Sequence, residues 1–121
     1  MTADEVRLPR ATEADVSVDK LRDYAFNADH PLGKHKARVF RSALGIGQDD
    51  WPYLRDQILG RVADAAVTAI RPKPPHGLEY EVRMPIEGLN GETHPIITGW
   101  LVVEEGPPRL LTTYVETPKR G

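Results

Sequence analysis

The second half of the chain alternates. Leu78, Tyr80, Val82 and Met84 are apolar, while Glu79, Glu81 and Arg83 between them are charged. A two-residue period of this kind suits a strand with one buried face and excludes a helix, whose sides repeat every three to four residues. Asn90-Gly91 is a tight-turn pair and Gly106-Pro107-Pro108 is a second reversal, so the alternating region is cut into pieces joined by short connections. Short connections allow only antiparallel neighbours. Strands are expected over Leu78 to Met84, Thr93 to Glu104 and Arg109 to Val115. Val67 to Arg71 reads as a further short one, closed by the loop Pro72-Lys73-Pro74-Pro75-His76-Gly77.

Before residue 65 the period is helical. Ser17 or Asp19 can cap a first helix whose apolar side is Val18, Leu21, Tyr24 and Ala25, ended at Asn27 to Pro31. A second is expected from Lys34 to Leu44. Ala37, Phe40 and Leu44 mark its apolar side, and Gly45 stands where a left-handed terminator belongs. Asp49-Asp50-Trp51-Pro52 starts a third, which would bury Trp51, Leu54, Ile58 and Val62. Gly60 weakens that helix by about 1 kcal/mol relative to alanine. Residues 1–16 read as a flexible lead-in, 17–117 as a single compact domain and 118–121 as a tail. The expected fold is α+β, with about three N-terminal helices on one face of a three- to four-stranded antiparallel meander.

At 121 residues the chain has room for one core and not two. It has no cysteine, which excludes disulfides and thiolate metal sites. No apolar run approaches the length of a membrane span, and no basic-then-apolar leader opens the sequence. Residence in the cytoplasm is the default expectation, and a domain exported as part of a larger protein would read the same way. The net charge is −2 and the pI about 6.1, which argues against indiscriminate coating of nucleic acid.

That average conceals a cationic segment, His30-Pro31-Leu32-Gly33-Lys34-His35-Lys36-Ala37-Arg38-Val39-Phe40-Arg41, with no acid in it. Mutual repulsion of the cations suggests a use, most simply holding an anion such as a phosphate. Gly33 would let backbone N–H groups approach that anion at the positive end of the helix. Lys34 and Lys36 add point charges, and Arg38 offers a two-pronged grip. A solvated cationic flank is the competing reading. His30 and His35 are candidates for proton transfer near neutral pH, although His30 would equally cap the break between helices. On the last strand, Thr112 and Tyr114 share a face with Leu110, leaving Leu111, Thr113 and Val115 to face the helices. Their hydroxyls would then be open to a ligand. Trp100 reads as core. No paired carboxylates stand out, no metal-binding pattern is present, and neither phosphate-loop nor nucleophile-elbow glycine patterns occur. No cofactor is expected.

Asn27-x-x-His30-Pro31-x-Gly33-Lys34-x-Lys36-Ala37-x-x-Phe40, then Trp51-x-x-Leu54, Tyr80-x-Val82, Asn90-Gly91, Trp100 and Pro108-Arg109-Leu110-x-Thr112-x-Tyr114 form an ordered series. In this the chain resembles a bacterial domain family of unknown function found alone and at the C-termini of polymorphic toxins. Such domains are similar in layout to ribonuclease toxins of the barnase/EndoU/colicin/RelE type. The resemblance implies a metal-independent cut in RNA, in which the 2′-hydroxyl attacks the adjacent phosphate and leaves a cyclic phosphate end. Carried onto this chain, His30 would be acid or base, Lys34 and Lys36 would support the phosphate, and Thr112 and Tyr114 would position the substrate. The tyrosine-glycine usual before the second strand appears here as His76-Gly77. The partners implied are an RNA substrate and a cognate antitoxin or immunity protein, with no membrane. A non-catalytic binding module, itself a partner or immunity-like protein, is the alternative.

Overall fold

The computed structural model describes residues 6–17, 21, 33–75, 77–104 and 106–116, with only the backbone of residues 33–35. Four strands, β1 (Ala66–Lys73), β2 (Gly77–Glu87), β3 (Thr93–Val102) and β4 (Arg109–Val115), make one sheet. Its order is β1-β2-β3-β4 with every pair antiparallel, so the chain meanders without a crossover. The β2–β3 connection turns at Gly91, whose φ of 85° only glycine adopts without strain. Asn90 secures that turn by accepting from Glu92 N at 3.0 Å and donating to Ala43 O at 3.1 Å.

Register assigns each residue a face. Tyr80 pairs with Trp100, Val82 with Thr98 and Met84 with Ile96, so these six share one side. Val82, Met84, Ile86, Ile96 and Trp100 are fully buried there. Two α-helices cover them: α1 (Gly33–Leu44) brings Phe40 and Leu44, and α2 (Trp51–Arg61) brings Leu54 and Ile58. Gly45 ends α1 in the left-handed region, φ 68°, with its N–H on Arg41 O at 2.9 Å and the next N–H on Phe40 O at 3.2 Å. Pro52 near the start of α2 loses no helical hydrogen bond.

The expected trio of N-terminal helices is corrected by this architecture. The described residues hold two α-helices against a four-stranded antiparallel sheet. The segment assigned to the first helix lies mostly outside the described residues; of its expected apolar side only Leu21 is described, and it is buried. Irregular chain covers much of the core face instead. Residues 6–16 bury Leu8 and Val16, with one short turn at Ala11–Glu13 and Arg10 left-handed at φ 53°. Their backbone also pairs with both sheet edges. Val6 O accepts from Val67 N of β1 at 3.0 Å, Asp15 N donates to Pro108 O at 2.8 Å, and Asp15 O accepts from Leu110 N of β4 at 2.9 Å. Edge pairing satisfies the peptide groups that a helix would otherwise satisfy internally, so helical periodicity is not needed there.

A site where the first helix meets the open sheet face

β4 carries a register shift opposite Gly99 and Trp100: Gly99 pairs with Thr112, but Trp100 pairs with Leu110. The extra residue, Leu111, lets Leu110 turn inward together with Thr113 and Val115. Leu110 therefore belongs to the core, and Leu111 does not take the inward place expected from simple alternation. Thr112 and Tyr114 face away from the core, on the side of the sheet that no described helix covers.

α1 lies along β4, and Lys36 stands one turn before Phe40 on the same side of the helix. From there its ammonium donates to Thr112 Oγ1 at 2.7 Å and sits 5.5 Å from the centre of the Tyr114 ring, within cation–π range. Partial burial holds the Lys36 ammonium below the ordinary lysine range. Tyr114 is pushed the other way. Burial and the nearby Glu81 carboxylate raise its pKa, Arg71 opposes them, and Glu116 and Glu79 add to the rise. The phenol therefore keeps its proton at neutral pH and is available as a donor.

The neighbouring strands complete the surroundings. Glu79 and Glu81 alternate with the buried residues of β2 and lie opposite Leu101 and Gly99 of β3. Glu81 accepts from Thr68 Oγ1 at 2.7 Å and from Arg71 Nη2 at 3.1 Å, and those bonds hold its carboxyl below the usual range. Gly99 is the floor. A Cβ there would fall 2.9 Å from Glu79 Oε2 and 3.0 Å from Thr112 Cγ2, so a side chain at this point would displace the carboxylate and crowd the threonine methyl.

Of the residues singled out by sequence, the fold brings together Lys36, Thr112 and Tyr114. Arg38, two residues beyond Lys36, is exposed on another side of α1. Gly33 opens α1. His30 and the side chains of Lys34 and His35 lie outside the described residues, as does His76. Glu79, Glu81, Arg71 and Gly99 were not singled out. The β2 alternation did place both glutamates on its outer side. Their relevance depends on the strand order, which sets β2 and β4 on either side of β3. Among the described residues no group of three His, Asp or Glu side chains could hold a metal ion, and no helix is long and apolar enough to cross a membrane.

These features define an α+β domain with an open sheet face that carries a cation, two hydroxyls and carboxylates around a glycine floor. The chain belongs to the family described as Domain of unknown function (DUF6883), whose model matches residues 7–117. None of the curated proteins matches the sequence. Among solved structures the fold is similar to a chain of a contact-dependent growth inhibition toxin–immunity protein complex from Klebsiella pneumoniae 342. The TM-score is 0.65 at 13% identity, over 84% of this chain and 98% of that one. At that identity the likeness is one of fold.

Proposed function

We propose that this domain is a toxin-associated ribonuclease that cuts RNA through the 2′-hydroxyl without a metal ion. The observation that carries the reading is the Lys36 ammonium, partly withdrawn from water and anchored at 2.7 Å on Thr112 beside the Tyr114 ring. A lysine placed this way is pre-oriented toward an anion on the open face, and low local dielectric strengthens its pull on developing phosphorane charge. Thr112 and the protonated Tyr114 supply hydroxyl donors for non-bridging oxygens, and the exposed side of Tyr114 offers a surface on which a base can stack. Resemblance to domains at the ends of polymorphic toxins, together with the fold shared with a chain of a toxin–immunity complex, supports a toxin setting with a protein that neutralises it.

The test is incubation of the purified protein with total RNA in EDTA, alongside Lys36→Ala. The expected result is cleavage to cyclic phosphate ends by the wild type, reduced by about 100- to 1,000-fold in the variant, the size seen when one preorganised charge-stabilising donor is removed. Negligible cleavage by both proteins would dispose of the ribonuclease reading and leave the non-catalytic binding module in its place.

A further inference from the structure

We propose that Glu79 is the proton acceptor of this site and that Gly99 is the seat holding its carboxylate in position. The inference rests on the RNA-cleaving reading and adds to it a catalytic residue and a residue that positions it.

Three carboxylates influence Tyr114 from the open face, and two of them are committed elsewhere. Glu81 has one oxygen on Thr68 and the other on Arg71. Glu116 is ion-paired with Arg83. Glu79 differs. Its Oε1 faces Lys73 at 3.6 Å, a pair whose lysine is half exposed and which holds it only weakly. Its Oε2 lies over Gly99 toward Thr112 and has no hydrogen-bond partner among the described residues. Only 20% of the side chain is exposed. A mostly covered carboxylate with one uncommitted oxygen, aimed at the threonine that anchors the lysine, has the geometry of a general base.

The backbone beneath it points the same way. Gly99 sits mid-strand in β3, where glycine loses side-chain packing and destabilises relative to a residue with a Cβ. No positive φ requires glycine at this position. What glycine preserves is the space taken by Glu79 Oε2 and Thr112 Cγ2, which a Cβ would push aside. In the reaction, Glu79 takes the proton from the 2′-hydroxyl as that oxygen bonds to phosphorus. The P–O5′ bond breaks with its electron pair going to O5′, which takes a proton from the Lys36 ammonium. Both residues then exchange protons with water to reset.

The experiment compares wild type, Glu79→Gln and Gly99→Ala for cleavage of an RNA oligonucleotide in EDTA. Binding is measured with the same oligonucleotide carrying 2′-deoxy sugars, which cannot react, and folding by thermal melting. Glu79→Gln is expected to lose about 100-fold or more in cleavage while binding the 2′-deoxy probe at least as tightly as wild type, since a negative charge beside phosphate is removed. Gly99→Ala keeps both groups but displaces them, and is expected to lose up to about 100-fold with its melting transition intact. Wild-type cleavage matched by Glu79→Gln would overturn this proposal and leave the ribonuclease reading standing. Absence of cleavage by the wild type would overturn both. Should Glu79→Gln fail to fold, a Gly99→Ala protein that folds and cleaves like wild type would also overturn the assignment.

Discussion

Thr112 and Thr113 are consecutive in β4 and face opposite ways, and the two sides they belong to are built by different rules. On the core side the buried polar side chains are few, and the Thr98 hydroxyl is paired within the sheet. Trp100 Nε1 donates to Thr98 Oγ1 at 2.7 Å, and Thr98 Oγ1 donates to Val82 O at 3.0 Å, so the largest buried side chain has its one donor satisfied by a neighbouring threonine. On the open side, polar groups from α1, β1, β2 and β4 converge, and their bonds run between elements. Lys36 reaches Thr112 across 76 residues of sequence, and Thr68 reaches Glu81 across 13. The core side spends its polarity on holding the sheet together. The open side holds charged groups partly out of water, an arrangement unfavourable for folding and useful for binding or chemistry.

That contrast can be broken first at Trp100. Replacing it with alanine should lower unfolding free energy by about 3–5 kcal/mol, the usual range for a buried aromatic, measured by urea denaturation. A loss under 1 kcal/mol would mean that this side of the sheet is not the core. Thr98→Val is the finer probe. It strands the Trp100 N–H and should cost about 1–3 kcal/mol. Its cross-strand partner Thr113 sharpens the comparison, because Thr113 Oγ1 is buried with no hydrogen-bond partner among the described residues. Thr113→Val removes a buried hydroxyl without orphaning a partner, so it should raise stability, by up to about 1 kcal/mol. Equal losses in the two valine variants would show that the Thr113 hydroxyl is satisfied, by a bound water for instance.

The core side was the more legible in sequence, for a physical reason. Burial imposes a period, so the alternation of β2, the ends of β4 and the apolar positions Phe40, Leu44, Leu54 and Ile58 can be read from local order alone. Irregular cover cannot. Residues 6–16 carry no period, yet Leu8 and Val16 are buried because their backbone pairs with the sheet edges. Alternation alone places Leu110 outward for a related reason: the register shift beside Gly99 belongs to a pair of strands, and neither strand announces it by itself. On the open side, residue type points to Lys36, Thr112 and Tyr114, which the fold brings together. Residue type does not point to Glu79 and Gly99, whose place beside Thr112 appears only when β3 is seen to lie between β2 and β4.

The smallest expected effect separates two titratable groups of the open side by pH. Burial lowers the Lys36 pKa, so the folded chain releases this proton at a lower pH than the unfolded chain, whose lysine titrates near 10.5. Between those two values the unfolded chain binds more protons, and the contribution of Lys36 to stability rises with pH; the penalty is fully present below the folded value and gone above the unfolded one. Tyr114 runs against it. Its pKa is raised above 10.0, so over the window starting there the folded chain holds the extra proton, and its contribution falls as pH rises. In the wild type the two contributions oppose each other. Lys36→Met removes the first contribution, and Tyr114→Phe the second. Stability measured by urea denaturation from pH 8 to 11 should therefore fall with pH more steeply in Lys36→Met than in wild type, and less steeply in Tyr114→Phe. Parallel curves for wild type and Lys36→Met would mean that the ammonium is as well hydrated in the folded protein as in the unfolded one, and the open side would lose the feature that distinguishes it from an ordinary charged surface.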